Sequence, residues 1–141
     1  MKYLLAPLLF CCLAFQCADD EDLRLCGEPI IVVNELLVGY DTFHLVNVAV
    51  ADRCLTVEIG ASGCSPDGWA MQLRTDGTIR ESLPTQSTAH LTFDDGVAEG
   101  AGTCQAYYTA AYSFDLRPYL PEGSGPSLLT LEGLDTTLLV E

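Results

Sequence analysis

Residues 54–61 alternate without a break. Leu55, Val57, Ile59 and Ala61 fall to one side, and Thr56, Glu58 and Gly60 to the other. A period of two is the mark of a half-buried β-strand and is incompatible with a helix turning every 3.6 residues. The pattern recurs at 69–75, with Trp69, Met71 and Leu73 inward, and over 104–116, where Ala106, Tyr108, Ala110, Tyr112, Phe114 and Leu116 share a face. Further strand-like runs are 29–38, 42–50, 78–83, 88–93, 128–133 and 136–140. Turn residues separate them. Asp76-Gly77 reads as a tight turn across which 78–83 pairs back, and Leu134-Asp135 as the tip of a terminal hairpin. No amphipathic helix is present. About 7–8 strands at this spacing predict an all-β fold, an antiparallel β-sandwich of immunoglobulin-like or jelly-roll-like character. With 49% of its 141 residues apolar, the chain has the side chains for one such core.

The first segment has a different character. Residues 1–16 (MKYLLAPLLFCCLAFQ) place Lys2 before an apolar stretch of signal-peptide length, too short to stay in a bilayer as a spanning helix. Cys17 follows at once, then Ala18 and the run Asp19-Asp20-Glu21-Asp22. A cysteine at this place resembles the lipid-attachment residue of bacterial lipoproteins. The acidic run resembles the tetrad after that cysteine in surface-exported lipoproteins of Bacteroidota-type bacteria. The expected division is a cleaved signal at 1–16, an acidic lipidated linker at 17–27 and the β-domain at 28–141. The acyl chains would hold the protein to a membrane, at about 0.8 kcal/mol for each buried methylene. The expected location is the cell outer membrane, surface-exposed rather than on its periplasmic face.

Charge narrows the partners. Twenty acidic side chains oppose six basic ones, for a net charge of −14, and Lys2 is the sole lysine. Such an excess repels nucleic acid and anionic lipid headgroups alike, so no nucleic-acid partner is expected.

Cysteine parity supports the anchor. Of seven cysteines, Cys11 and Cys12 leave with the signal and Cys17 is lipidated, so Cys26, Cys54, Cys64 and Cys104 remain. An unlipidated Cys17 would leave an odd thiol in an exported protein. None of the four forms a CxxC pair, which argues against zinc and against a redox dithiol. Two disulfides are expected, and three connectivities are possible. Cys54 opens a strand that ends near Cys64, so an extended chain holds them about 30 Å apart. That counts against joining them. We favour Cys64–Cys104 with Cys26–Cys54, each stabilising by roughly 3–4 kcal/mol in the chain-entropy picture.

Few residues suggest chemistry. His44 sits in a run with Val46, Val48 and Val50, and His90 beside Thr92. Neither lies in a nucleophile motif such as GxSxG, so no enzyme and no catalytic residue is expected. Asp94, Asp95 and Glu99, in an acid- and glycine-rich loop, are calcium candidates through oxygen ligands, although EF-hand spacing is absent. No cofactor is expected. Tyr107 stands apart from the other aromatics because its neighbours in alternation are polar, and it is the candidate binding aromatic for a glycan or protein partner.

The stretch Asp52-Arg53-Cys54-Leu55-Thr56-Val57-Glu58-Ile59, followed by Ala61-Ser62-Gly63-Cys64, resembles a segment of small uncharacterised Bacteroidota-type surface lipoproteins. Their pattern runs Ser-Gly-(Gly)-Cys, then Cys-x-Ala, then Phe-Asp-Leu-x-Pro. Here the later parts read Cys104-Gln105-Ala106 and Phe114-Asp115-Leu116-Arg117-Pro118. The likeness spans about residues 45–141. Two departures stand out: Ser62-Gly63 precedes Cys64 in place of a glycine pair, and the His that often follows that Cys is missing from Ser65-Pro66-Asp67-Gly68. The resemblance implies a secreted β-domain with a Cys64–Cys104 bridge and no known activity. The combined expectation is a lipid-anchored envelope protein acting as a non-enzymatic interaction or structural module. The alternative is a carbohydrate- or calcium-binding module of a nutrient-uptake system.

Overall fold

The computed structural model describes residues 26–34 and 40–141. The expected signal segment, Cys17 with most of the expected acidic linker, and residues 35–38 of the 29–38 run lie outside the described residues. Ten strands form two sheets: β1 (Glu28–Pro29), β2 (Ile31–Val32), β3 (His44–Ala51), β4 (Cys54–Gly63), β5 (Ala70–Thr75), β6 (Ile79–Arg80), β7 (Thr85–Asp94), β8 (Ala106–Asp115), β9 (Ser127–Leu131) and β10 (Thr136–Val140). One sheet has the order β1-β8-β4-β3. The other runs β10-β9-β7-β5-β2, with β6 also paired to β7. The all-β sandwich is as expected. Its sheets, however, are mixed: β1–β8, β2–β5 and β7–β9 are parallel pairs. Periodicity reports which face a residue takes and not which strand lies beside it, so these pairings left no trace in the pattern.

The alternating residues meet in one core. Leu55, Val57, Ile59 and Phe114 from the first sheet pack with Leu73, Ala89, Phe93, Leu129, Leu131 and Val140 from the second. Fully burying one such large side chain stabilises by about 1.5–3 kcal/mol. Both disulfides link this frame, Cys26–Cys54 with Cα atoms 5.5 Å apart and Cys64–Cys104 at 4.6 Å. These are the pairs favoured from the sequence.

Three local expectations are corrected. The described part of the run from 29 is not one strand but two short pieces, β1 and β2, with buried Ile30 between them. The Ile30 amide donates to Asp115 O in the first sheet, and the Val33 amide to Thr75 O in the second, so the chain changes sheets here. Asp76-Gly77 does not turn a hairpin. β6 continues along β7 in the same antiparallel sense as β5, and Gly77, at φ +81°, absorbs the irregularity between them. Finally, β3 carries a bulge. Leu45 pairs with Ile59 but Asn47 with Glu58, which leaves Val46 as an extra residue. The bulge resets the alternation, so His44 does not share a face with Val48 and Val50. Leu45, Val48 and Val50 pack on the core, while His44, Asn47 and Ala49 face outward.

The hairpin β3–β4 turns on Asp52 and Arg53, both with positive φ (49° and 59°). The Arg53 side chain is 8% exposed. Its Nη1 donates to Leu120 O, to Pro121 O at 2.6 Å and to Ser124 Oγ at 3.1 Å, pinning the loop after β8 to this turn.

Candidate functional site

At the opposite end of β4 three segments converge: 40–43 before β3, the 64–69 turn, and the 94–104 loop. The Asp41 amide donates to Phe93 O at 3.0 Å, which seats the first segment on β7. Beneath it, Phe93 packs edge-to-face with Phe43 (centroids 5.9 Å apart) and with Trp69 (5.2 Å). The Cys64–Cys104 bridge closes the far side. Tyr108 Oη donates to Cys64 O at 3.1 Å beside it.

On this base, carboxyl oxygens of Asp41, Asp94 and Asp95 lie within 4.8 Å of one another. Two of the three calcium candidates therefore come together. Glu99 does not join them; Asp41 takes its place. Asp41 is more than fifty residues from Asp94, so no local spacing could have revealed it. The cluster also has work within the loop. Asp41 Oδ2 accepts from the Asp95 amide, Asp94 Oδ1 from the Gly96 amide, and Asp95 Oδ1 from the Val97 amide. Oxygens of this hardness suit a calcium ion, and the same three groups suffice as latches that fix the loop. A cavity of about 360 Å³ adjoins the cluster, between Tyr40, Arg74 and Asp94. The Arg74 guanidinium lies 5.8 Å from the centroid of the Tyr40 ring.

Around the edge of the cluster the outer face of the first sheet begins. Its rows, read across β3, β4 and β8, are His44–Gly60–Thr109, Asn47–Glu58–Ala111 and Ala49–Thr56–Ser113, with Ser62 opposite Tyr107 at the end. Glu58 is the one charged residue in these rows. Tyr107 is 55% exposed. It lies along the sheet toward Gly60, where an added Cβ would fall 1.8 Å from its hydroxyl oxygen. Gly60 is thus required by the position of the ring, and the ring covers the glycine.

This fold is shared. The chain superposes on a protein of unknown function, DUF1344, from Bacteroides vulgatus with TM-score 0.51 at 19% identity, over 81% of this chain and 56% of that one. It superposes on a NigD-like immunity protein from Bacteroides caccae with TM-score 0.54 at 12% identity, over 82% of this chain and 59% of that one. The chain therefore spans less than two thirds of either neighbour. At these identities the likeness is one of fold. No protein-family model matches the sequence, and no curated protein matches it.

The remaining candidates are apart from each other. His44 borders a groove with Tyr107. His90 is on the other sheet, where its Nε2 lies 2.9 Å from Glu132 Oε2 on an open surface, a charged pair when the imidazole is protonated. Among the described residues neither histidine has a hydroxyl or thiol as a hydrogen-bond partner.

Proposed function

We propose that this chain is a lipid-anchored cell-envelope protein that binds a partner through the outer face of its four-stranded sheet and catalyses no reaction. The observation that carries the reading is the distribution of charge. In a chain with a net charge of −14, the strands β3, β4 and β8 hold only Glu58 and Asp115, and Asp115 is paired to Arg117 at 2.8 Å. Small residues leave this face flat, and Tyr107 gives it an amphipathic anchor of the kind found at protein interfaces. Placing a partner here desolvates almost no charge. The two fold neighbours, one of unknown function and one an immunity protein, are in keeping with a binding role.

A photo-crosslinking residue at Thr109 should give discrete adducts on intact cells, and the same residue at Glu122, off this face, should give none. Equal labelling from both positions would discard the face as an interface. The anchor is tested separately. Cys17→Ser should move the protein from the membrane pellet to the soluble fraction. Protease added to intact cells should degrade the wild-type protein if the acidic run after Cys17 directs it to the surface. A melting temperature that falls on chelation would redirect the reading to calcium at Asp41, Asp94 and Asp95.

A further inference from the structure

The groove between the outer sheet face and the loop end has a volume of about 280 Å³ and is bordered by Asp41, His44, Ser62, Asp95, Thr103 and Tyr107. We infer that it is a subsite for a single uncharged sugar ring, packed against Tyr107. This deepens the partner-binding reading and rests on it, by naming the chemistry of what the face receives.

Three properties of the groove point to this class of ligand. The first is size. Sites for drug-sized molecules run from about 300 to 1,000 Å³, so this one has room for one ring. The second is the aromatic side chain. Tyr107 lies along the sheet over Gly60, whose lack of a side chain leaves room for the ring, and more than half of the residue stays exposed as a largely apolar surface. The C–H groups on one face of a pyranose need such a surface, and its hydroxyls need polar groups at the ring's rim. The third is that rim. Asp41 and Asp95 accept hydrogen bonds, the Ser62 and Thr103 hydroxyls both donate and accept, and the His44 imidazole can do either. A carboxylate accepting from a sugar hydroxyl makes the stronger, charge-assisted type of bond.

The same residues exclude the competing classes. Asp41 and Asp95, with Asp94 beside them, repel phosphates, sulfates and acidic sugars. The polar rim disfavours an acyl chain. An alkylammonium would find carboxylates, but a cation of that kind is usually enclosed by several exposed aromatic faces, and of the two aromatic residues bordering the groove Phe93 is buried, which leaves Tyr107.

The test uses the full chain purified in detergent and titrated with methyl glycosides of glucose, galactose, mannose and N-acetylglucosamine. Methyl glucuronide and choline serve as charged controls. Binding is read by chemical-shift changes or tyrosine fluorescence. At least one neutral glycoside should bind saturably, and the glucuronide about tenfold or more weaker. Tyr107→Ala should weaken the neutral glycoside about tenfold or more, whereas Tyr107→Phe should retain most of the affinity. Gly60→Ala should weaken it comparably by pushing the ring off the strand, and a thermal melt checks that the variant is folded. Absence of saturable binding by every neutral glycoside, binding unaffected by Tyr107→Ala, or preference for choline would each overturn the inference. Failure here with Thr109 adducts intact would remove the sugar and keep the interface. Loss of the adducts with sugar binding intact would do the reverse.

Discussion

Arg53 is the residue on which most depends locally. Buried Arg53 donates to no carboxylate among the described residues and relies on two carbonyls and a serine hydroxyl. Removing it takes the side-chain donor from Leu120 O, while Pro121 O keeps the Ser124 amide, so Arg53→Ala should destabilise by about 1–3 kcal/mol, read from urea melts. The same residue has φ +59°, which costs an L-residue about 1–2 kcal/mol and glycine almost nothing. Arg53→Gly should therefore be more stable than Arg53→Ala by about 1 kcal/mol, although both lose the side-chain bonds. Equal stability would mean that the turn carries no strain. Asp115 offers a pH test. Hydrogen bonds from Arg117 hold its carboxyl below the usual range, against a smaller opposing effect of burial. A depressed folded-state pKa gives stability that is present in full above the unfolded value, near 3.9, and is lost as pH falls through the folded one. Asp115→Asn should lower stability at pH 6 and lose that deficit progressively below about pH 4, so the two curves converge in acid. A deficit independent of pH would show that the pair is not what Asp115 contributes.

Among elements, the alternation of β4 dictated its partners' burial as well as its own, because a central strand with one apolar face needs a second sheet to cover it. Leu55, Val57 and Ile59 were legible for that reason, as were Met71 and Leu73 in β5 and the β9–β10 hairpin. What failed to show was anything set by a single residue or by distant parts of the chain. The Val46 bulge shifts one position and reverses the faces of everything before it, and the valine-rich run gives no sign of where the extra residue falls. Asp76-Gly77 has the composition of a hairpin turn but meets β7, which lies on the wrong side for one. In the site, Asp94, Asp95 and Tyr107 stood out by local composition. Asp41 did not, since only the folded chain brings it beside Asp94. The bulge absorbs one extra residue without moving its neighbours. Deleting Val46 would leave Leu45 opposite Ile59 and Asn47 opposite Glu58 in a regular ladder with His44 still outward, so denaturant unfolding should show a change of no more than about 1 kcal/mol, and a large loss of stability would mean that the register is not the one described.

For the molecule as a whole, charge is the dominant long-range term. The chain carries a net charge of −14, twenty acidic side chains against six basic ones. Self-repulsion opposes the compact state, and salt screens it over a Debye length of about 10 Å at 0.1 M and 3 Å at 1 M. The melting temperature should therefore rise from low salt to 1 M NaCl, and equally in KCl. Asp95→Asn keeps an oxygen to accept from the Val97 amide and removes one charge from the cluster. It should raise the low-salt melting temperature by about 2–4 °C and flatten the salt response. A flat wild-type curve would assign the acidic excess to solubility alone.

The Cys26–Cys54 bridge decides how the domain bears mechanical load. A pull on the chain ahead of Cys26 would otherwise reach β1 and β2 first, two strands of two residues each that would peel off in turn. The bridge instead passes tension covalently to Cys54 at the head of β4, which has β3 on one side and β8 on the other. Force applied there then shears a central ten-residue strand, where many hydrogen bonds must break together, and spares the short ones. Held by its N-terminal end in a single-molecule trap, the oxidised protein should yield in one high-force event. After reduction, an earlier low-force step should appear as β1 and β2 detach.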